Sequence, residues 1–399
     1  MQLARFGTDG CGYGRPVTLG PGQLLRLTAA KSVANTALRW IPFFLFVLED
    51  AFDAKTTTLT LIIGLGEMAG LGTLLIGGQL DRGKERVFLI AAMVLVSGSG
   101  IIALGGTVAT FAVSFLCVIG ATSLVTVAGH TWISRRVDFA RRGRAIGTYE
   151  ISWALALLIG APIIALTIDV FGWRGPFVLI AIGGAVMAVI ISQLPDEPLD
   201  AAELAVAAGD GQGKRRLPTK ALVLIAASAA IATAGLSTIV IVGTWLEDAF
   251  GVSTGEVGLT AMAFGLAEIT ASGGSARFSD RLGKARTTAA ALVAVVIGLI
   301  VMATASASFA VAVVGLALFF IGFEYAIVTS FSIVSEAAPL ARGRALATSN
   351  AMGTLSRGGG TIASGFLYDA HGVVGPAVLS GSCAVLALTL LAIGGRDVD

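Results

Sequence analysis

Leu48-Glu49-Asp50-Ala51-Phe52 returns, letter for letter, as Leu246-Glu247-Asp248-Ala249-Phe250, an offset of 198 in a chain of 399 residues. The echo continues downstream. Arg142-Gly143-Arg144-Ala145 recurs as Arg342-Gly343-Arg344-Ala345, and Asp169, Gly172, Gly175 and Pro176 match Asp369, Gly372, Gly375 and Pro376, both at an offset of 200. Asp81-Arg82-Gly83-Lys84 corresponds to Asp280-Arg281-Leu282-Gly283-Lys284 with one residue inserted. Matches held at a near-constant offset along the whole chain mark a duplication, so the fold is expected to be two related halves of about 200 residues each.

The solvent of those halves follows from composition. Apolar residues make up 55% of the chain and charged residues 13%, about half the charge that a water-facing domain carries. The 52 glycines against 10 prolines suit closely packed membrane helices, where small residues let backbones approach. A net charge of +2 gives no reason to expect a nucleic-acid partner. The three cysteines, Cys11, Cys117 and Cys383, have no disulfide or metal-ligand spacing, so all three read as free thiols.

A helix needs roughly 20 residues to cross a hydrocarbon core of about 30 Å. Apolar runs of that length fall near 24–48, 57–79, 87–107, 109–133, 144–168 and 174–194, and again near 219–246, 254–276, 287–306, 308–334, 344–367 and 373–394. The expected architecture is therefore all-α: about twelve transmembrane helices in two pseudo-symmetric six-helix bundles, 24–194 and 219–394. An irregular tail covers 1–23, a polar linker 195–218, and a short tail 395–399. The linker opens with Pro195-Asp196-Glu197-Pro198 and closes with Lys214-Arg215-Arg216, too short for a catalytic domain.

Eighteen of the 27 lysines and arginines fall in the even-numbered connections and the linker, while the odd-numbered ones hold only Lys55 and Arg174. By the positive-inside rule the basic face and both termini are cytoplasmic, and the cytoplasmic (inner) membrane is the expected location. The opposite face carries Glu49, Asp50, Asp53, Glu247, Asp248 and Glu256.

At these loops the sequence resembles the major facilitator superfamily, across residues 24–394. Gly78-Gln79-Leu80-Asp81-Arg82-Gly83-Lys84 is similar to the loop signature G-x-L-A-D-R-x-G-R-K, one residue short, and Phe278-Ser279-Asp280-Arg281-Leu282-Gly283-Lys284 keeps the full spacing. Arg142 to Gly147, Gly160-Ala161-Pro162 and Gly172-Trp173-Arg174 resemble the fifth helix of bacterial drug:proton antiporter-like exporters. The full G-x-x-x-G-P-x-x-G-G pattern of that helix is not kept, and Phe115-Leu116-Cys117-Val118 has no counterpart of the arginine many such exporters carry in span 4. The resemblance implies a secondary active transporter working by alternating access, driven by the proton gradient and moving its solute outward, with no cofactor. It implies a small-molecule substrate, the lipid bilayer as surroundings, and a monomer. It further implies gating by the loop residues Asp81, Arg82, Lys84, Asp280, Arg281 and Lys284, with Arg144 and Arg344. In that gate Asp81 would sit at the N-terminus of span 11 near Ala345, where exposed N–H groups favour an anion.

A charge near a helix centre costs about 2.5–3.5 kcal/mol on insertion scales, so ionisable residues inside spans are candidate functional groups. Seven occur: Lys31, Arg39, Glu67, Glu150, Glu268, Glu324 and Arg357. Lys31, Asn35 and Arg39 share one stripe of span 1, whereas the matching positions of span 7 are Ala229, Thr233 and Ser237. The resemblance places span 1 on the central cavity, so a cationic wall there favours anionic or zwitterionic solutes; a structural pairing such as Arg39 with Glu67 is the alternative. In span 11, Asn350, Thr354 and Arg357 share a face. Glu324 in span 10, at the depth of Arg357, is the first candidate for proton coupling, ahead of Glu67 and Glu150. Glu268 reads as structural, and His130 as a packing residue. Trp40, Trp153, Trp173 and Trp245 read as interfacial anchors.

Other classes lack their residues. Gly209 to Arg215 does not keep nucleotide-loop spacing, and neither H-E-x-x-H nor G-x-S-x-G occurs, so no enzyme is expected. A transporter-like receptor that binds without moving its ligand is the remaining alternative.

Overall fold

A computed structural model describes residues 20–69, 71, 84–137, 139–195, 217–304, 308–339 and 341–395; at 21, 69, 139, 140, 142, 143, 276, 280, 342 and 343 it describes the backbone only. Most of both expected tails and of the linker, and the loop residues Asp81 and Arg82, thus lie outside the described residues.

Helix α1 runs Pro21–Arg39 and resumes as Leu45–Phe52 after an irregular turn. It is followed by α2 (Thr56–Ala69), α3 (Glu85–Ala103) and α4 (Val108–Arg136). Helix α5 runs Phe139–Glu150, Ser152–Leu155, a π turn at Ala156–Gly160, and Ala161–Phe171; α6 is Arg174–Ser192. The second half repeats the order: α7 (Thr219–Ile239, then Val242–Phe250), α8 (Thr254–Leu282), α9 (Lys284–Thr304), α10 (Phe309–Ala337), α11 (Arg342–His371) and α12 (Val374–Gly394). No strand occurs among the described residues. Among the described residues, eight helices are each long and apolar enough to cross a membrane. The four outside that set are α1, α2, α8 and α11. Three of them carry mid-span charges that lower their hydropathy or are broken, and the described part of α2 stops at Ala69.

The repeated residues prove to be the ones that shape helix ends. Gly172 and Gly372 sit at φ +63° and +58°, backbone that glycine adopts without steric cost. Their N–H groups close α5 and α11 on the carbonyls of Ile168 and Tyr368, at 2.8 and 2.7 Å. A Cβ on Gly175 would stand 2.2 Å from the Thr167 carbonyl, and one on Gly375 2.5 Å from that of Leu367. Leu48–Phe52 and Leu246–Phe250 likewise end on left-handed caps, Asp53 and Gly251. Phe52 packs on Phe111 at 5.6 Å between ring centres, and Phe250 on Phe309 at 5.8 Å. The tight α3–α4 connection is fixed by Gly106 at φ +68° and by Thr107, whose hydroxyl accepts from the Thr110 N–H at 3.2 Å.

The two halves meet along two seams. In one, α2 lies against α11, and a Cβ on either Gly64 or Gly358 would stand 2.5 Å from the other's carbonyl oxygen. In the other, α8 lies against α5, where a Cβ on Gly265 would stand 2.7 Å from the Leu158 nitrogen and 3.0 Å from the Ala154 carbonyl oxygen. At the acidic face each seam ends in a hydroxyl–carboxylate bond between halves, Thr57 to Asp369 and Thr254 to Asp169. These are repeat-related aspartates. Between the seams the Gly243 N–H of α7 donates to Pro42 O of α1 at 3.3 Å.

Overpacking of such a crossing costs typically about 1–3 kcal/mol. Gly358→Val is therefore expected to lower the midpoint of thermal unfolding in detergent, while Gly359→Val, whose Cβ meets only the end of the Met68 side chain, leaves it close to that of the parent chain. Equal midpoints for the two variants would contradict the close α2–α11 approach.

Candidate functional site

A charge in hydrocarbon must find a partner or water, and most of the mid-span charges have found one another. Arg39 of α1 forms a two-pronged pair with Glu268 of α8: Nη1 donates to Oε2 at 2.8 Å, and Nη2 to Oε1. The same Nη1 donates to the Trp153 carbonyl of α5 at 2.7 Å, and the guanidinium lies 5.2 Å from the centre of the Trp153 ring. Three residues on, α5 widens into its π turn, an irregularity frequent at functional sites. Within that turn Gly160 lets Thr36 of α1 approach, since a Cβ there would stand 2.5 Å from the Thr36 hydroxyl. Glu324 of α10 stands in the field of both Arg39 and Glu268 and accepts a hydrogen bond from Ser272 at 3.1 Å. One guanidinium thus faces two carboxylates.

Each member of this trio has a phenylalanine one turn along its own helix, toward the acidic face: Phe43, Phe264 and Phe320. Phe264 and Phe320 stack with centres 4.1 Å apart, and Phe43 closes on them at 6.0 and 6.3 Å. All three are buried. They form a plug between the halves, directly beyond the charges.

On the other seam Arg357 of α11 reaches Glu67 of α2 at 3.3 Å and the Thr354 hydroxyl at 3.3 Å. Nearer the basic face, the Glu150 Oε1 of α5 accepts from Lys31 Nζ of α1 at 2.6 Å and stands 2.6 Å from His130 Nε2 of α4. The Lys31 side chain is 0% exposed and lies 4.4 Å from the centre of the Tyr149 ring, while Glu150 is 36% exposed. Asn35, wholly buried, donates to Ser152 at 3.2 Å and leaves its Oδ1 without a partner among the described residues.

Several expectations shift. Arg39 pairs with Glu268 rather than Glu67, and Arg357 takes Glu67 rather than facing Glu324. Glu268, read as structural, holds the arginine at the centre. His130, read as packing, binds the Glu150 carboxylate. Trp40 and Trp245, read as interfacial anchors, are buried at 1% and 4% exposure, and Trp153 lies at mid-depth against Arg39. The missed signal was Gly64-Leu65-Gly66-Glu67 and Gly265-Leu266-Ala267-Glu268: in both seams a close-approach glycine precedes by three residues the glutamate that takes an arginine from the other half. Asn350 is exposed, one turn before Thr354.

Of the expected gating residues, Lys84, Arg144, Arg281 and Arg344 are exposed at the basic face. Lys284 pairs with Glu336. Asp81, Arg82 and the Asp280 side chain fall outside the described set. At the acidic face the Tyr368 hydroxyl donates to Asp248 at 2.6 Å. Glu49, in the resumed part of α1, accepts a hydrogen bond from the Thr244 hydroxyl of α7 at 3.3 Å. A cleft of about 450 Å³ opens there beside Thr56, Trp245, Tyr368 and Asp369, and no mid-span charge lines it. Among the described residues no cluster could hold a metal ion, and Cys117 and Cys383 are free thiols.

A family model described as Major Facilitator Superfamily matches residues 32–232 and 222–397. The chain is 24% identical over 352 residues to the uncharacterized MFS-type transporter YwfA of Bacillus subtilis (strain 168), covering 86% of this chain and 84% of that one. It is 33% identical over 129 residues to the putative niacin/nicotinamide transporter NiaP of the same organism, a match spanning only 32% of each chain. Among solved structures, the xylose transporter XylE from E. coli, in a partially occluded inward-open conformation, superposes with a TM-score of 0.73 at 16% identity, over 93% of this chain and 96% of the other.

Breaking a buried ion pair by removing one partner costs about 3–5 kcal/mol, whereas replacing both partners by apolar residues is often neutral. Glu268→Gln is expected to lower the thermal midpoint strongly, and Arg39→Met with Glu268→Leu to restore most of it, as read by fluorescence melting in detergent. Additive losses in the double variant would show that the two side chains do not form a pair.

Proposed function

The chain belongs to the Major Facilitator Superfamily, and from that premise we propose that it exports a small anionic or zwitterionic organic solute across the cytoplasmic membrane, coupled to protons. The coarser statement follows from membership: this is a multi-pass membrane protein and a secondary transporter, not an enzyme, and it binds a small solute within the membrane. The finer reading rests on one observation. Arg39 of one half is held by Glu268 of the other, with a second carboxylate, Glu324, alongside and a phenylalanine plug behind.

Two carboxylates around one guanidinium leave one negative charge uncompensated, and a proton can neutralise it. A substrate carboxylate that takes Arg39 releases Glu268 from the cross-half pair, so cargo and proton compete for one cluster. Breaking that pair also loosens one seam, which ties ligand exchange to rocking of the halves. The seam contacts run from the acidic face past the plug to the mid-depth ion pairs, which favours a path open toward the basic face. With the basic face cytoplasmic, both termini are cytoplasmic and Arg39 receives cargo from inside. The exporter-like segment from Arg142 to Pro162 favours the outward direction. The partial match to a relative named for niacin and nicotinamide is in keeping with a small carboxylic acid as cargo. The protein works as a monomer and needs no nucleic acid.

Glu324→Gln keeps the side chain's shape and removes its titration. In proteoliposomes it is expected to abolish flux driven by a pH gradient while counterflow of the same solute, which needs no net proton movement, continues. Retention of pH-driven flux by the variant would refute the coupling role. Binding of solute without flux in the parent chain would instead identify a receptor.

A further inference from the structure

The Arg39 cluster leaves a second charged assembly unused. Lys31, His130 and Glu150 come from three helices, α1, α4 and α5, and meet on a single oxygen, Glu150 Oε1, at 2.6 Å from each nitrogen. Glu150 is six residues from Arg144 and His130 six from Arg136, so at 1.5 Å per residue both stand about 9 Å inside the basic face. The mid-depth trio, which bridges both halves, lies further from that face.

The burial of the three groups is uneven. Lys31 is sealed at 0% exposure, over the buried ring of Tyr149, while Glu150 and His130 are 36% and 38% exposed. The cation is fixed and the carboxylate is its accessible partner. A lysine sealed in this way requires an anion, because an uncompensated buried charge is costly. It does not require that the anion be Glu150. One turn beyond Lys31, the wholly buried Asn35 points to the same α1–α5 contact, where it meets Ser152 and keeps an unpaired Oδ1. Buried side-chain oxygens normally have a partner, and this one has none among the described residues.

We propose that Lys31 and His130 form a vestibular binding site for a small monocarboxylate, which Glu150 occupies as a built-in substitute until cargo displaces it. Glu150 then swings into the open side while the ligand's carboxylate takes the Lys31 ammonium and the His130 imidazole. Asn35 Oδ1, left without a donor, accepts from an N–H or O–H on a cargo that carries one. The site deepens the carrier reading given above and rests on it for its role in transport, but its occupancy is measurable without flux.

The experiment uses the purified full-length protein with benzoate as probe and benzamide as the uncharged shape control, read by calorimetry. The parent chain is expected to bind benzoate and not benzamide. If Glu150 fills the site about nine-tenths of the time, removing it tightens binding about tenfold, so Glu150→Gln gains that factor while Lys31→Gln loses binding. His130→Gln, at a half-open position, weakens benzoate without changing the thermal midpoint, and it serves as the test should Glu150→Gln fail to give folded protein. Equal binding of benzamide, no gain in Glu150→Gln, or full affinity in His130→Gln would each overturn the proposal. If benzoate binding follows this pattern while Glu324→Gln still transports on a pH gradient, the coupling assignment fails and the vestibular site stands. The reverse outcome removes the site and leaves the carrier mechanism.

Discussion

Everything in this molecule turns on the cost of placing charge in a medium without water. A helix that carries lysine, arginine or glutamate at mid-depth cannot face lipid with that side chain, so it is driven to a place where a partner exists. Here two of the pairs lie across the boundary between halves. Arg39 reaches from α1 to Glu268 on α8, and Arg357 from α11 to Glu67 on α2. The charges therefore do two things at once: they set which helices form the seams, and they put the strongest interactions at the boundary that has to open.

The seams are otherwise built from small residues and close backbone. Gly64 against Gly358, and Gly265 against Ala154 and Leu158, allow van der Waals contact that lipid cannot compete with. Such contacts are short-ranged and undirected, so they tolerate sliding and release better than an interlocked core would. At the acidic face the repeat-related Asp169 and Asp369 add one hydroxyl bond per seam. The result is a closure symmetric in its packing and its latches, which suits two halves that rock about a common axis.

The chemistry is not symmetric. The N-terminal half carries Lys31, Asn35 and Arg39 on α1, whereas the matching stripe of α7 is Ala229, Thr233 and Ser237. There Gly360 packs on Thr233 and Ser237, Ser356 donates to the Ala229 carbonyl at 3.1 Å, and Ser364 to that of Ser237 at 2.5 Å. One copy of the repeated helix carries a packing face and the other a charged one. A duplicated scaffold allows this, because the fold needs the helix but not the identity of its cavity face.

Composition, the repeat and the spacing of apolar runs determined the architecture, because bilayer thickness and helix rise leave so little choice of length. They also marked the charged residues, since each is anomalous in an apolar run. Partners were beyond their reach. A glutamate's position along its own helix says nothing of which helix lies opposite or at what rotation, so Arg39–Glu268, Arg357–Glu67 and the meeting of His130 with Glu150 were set only by the packing of the bundle. The phenylalanine plug was hidden for the same reason: Phe43, Phe264 and Phe320 look like any other apolar residues until three separate helices bring them together. Chain order fixes what each helix can bury. The tertiary structure decides which charge answers which, because pairing depends on how separate helices pack, whether the partners are 20 residues apart, as His130 and Glu150, or 290, as Glu67 and Arg357.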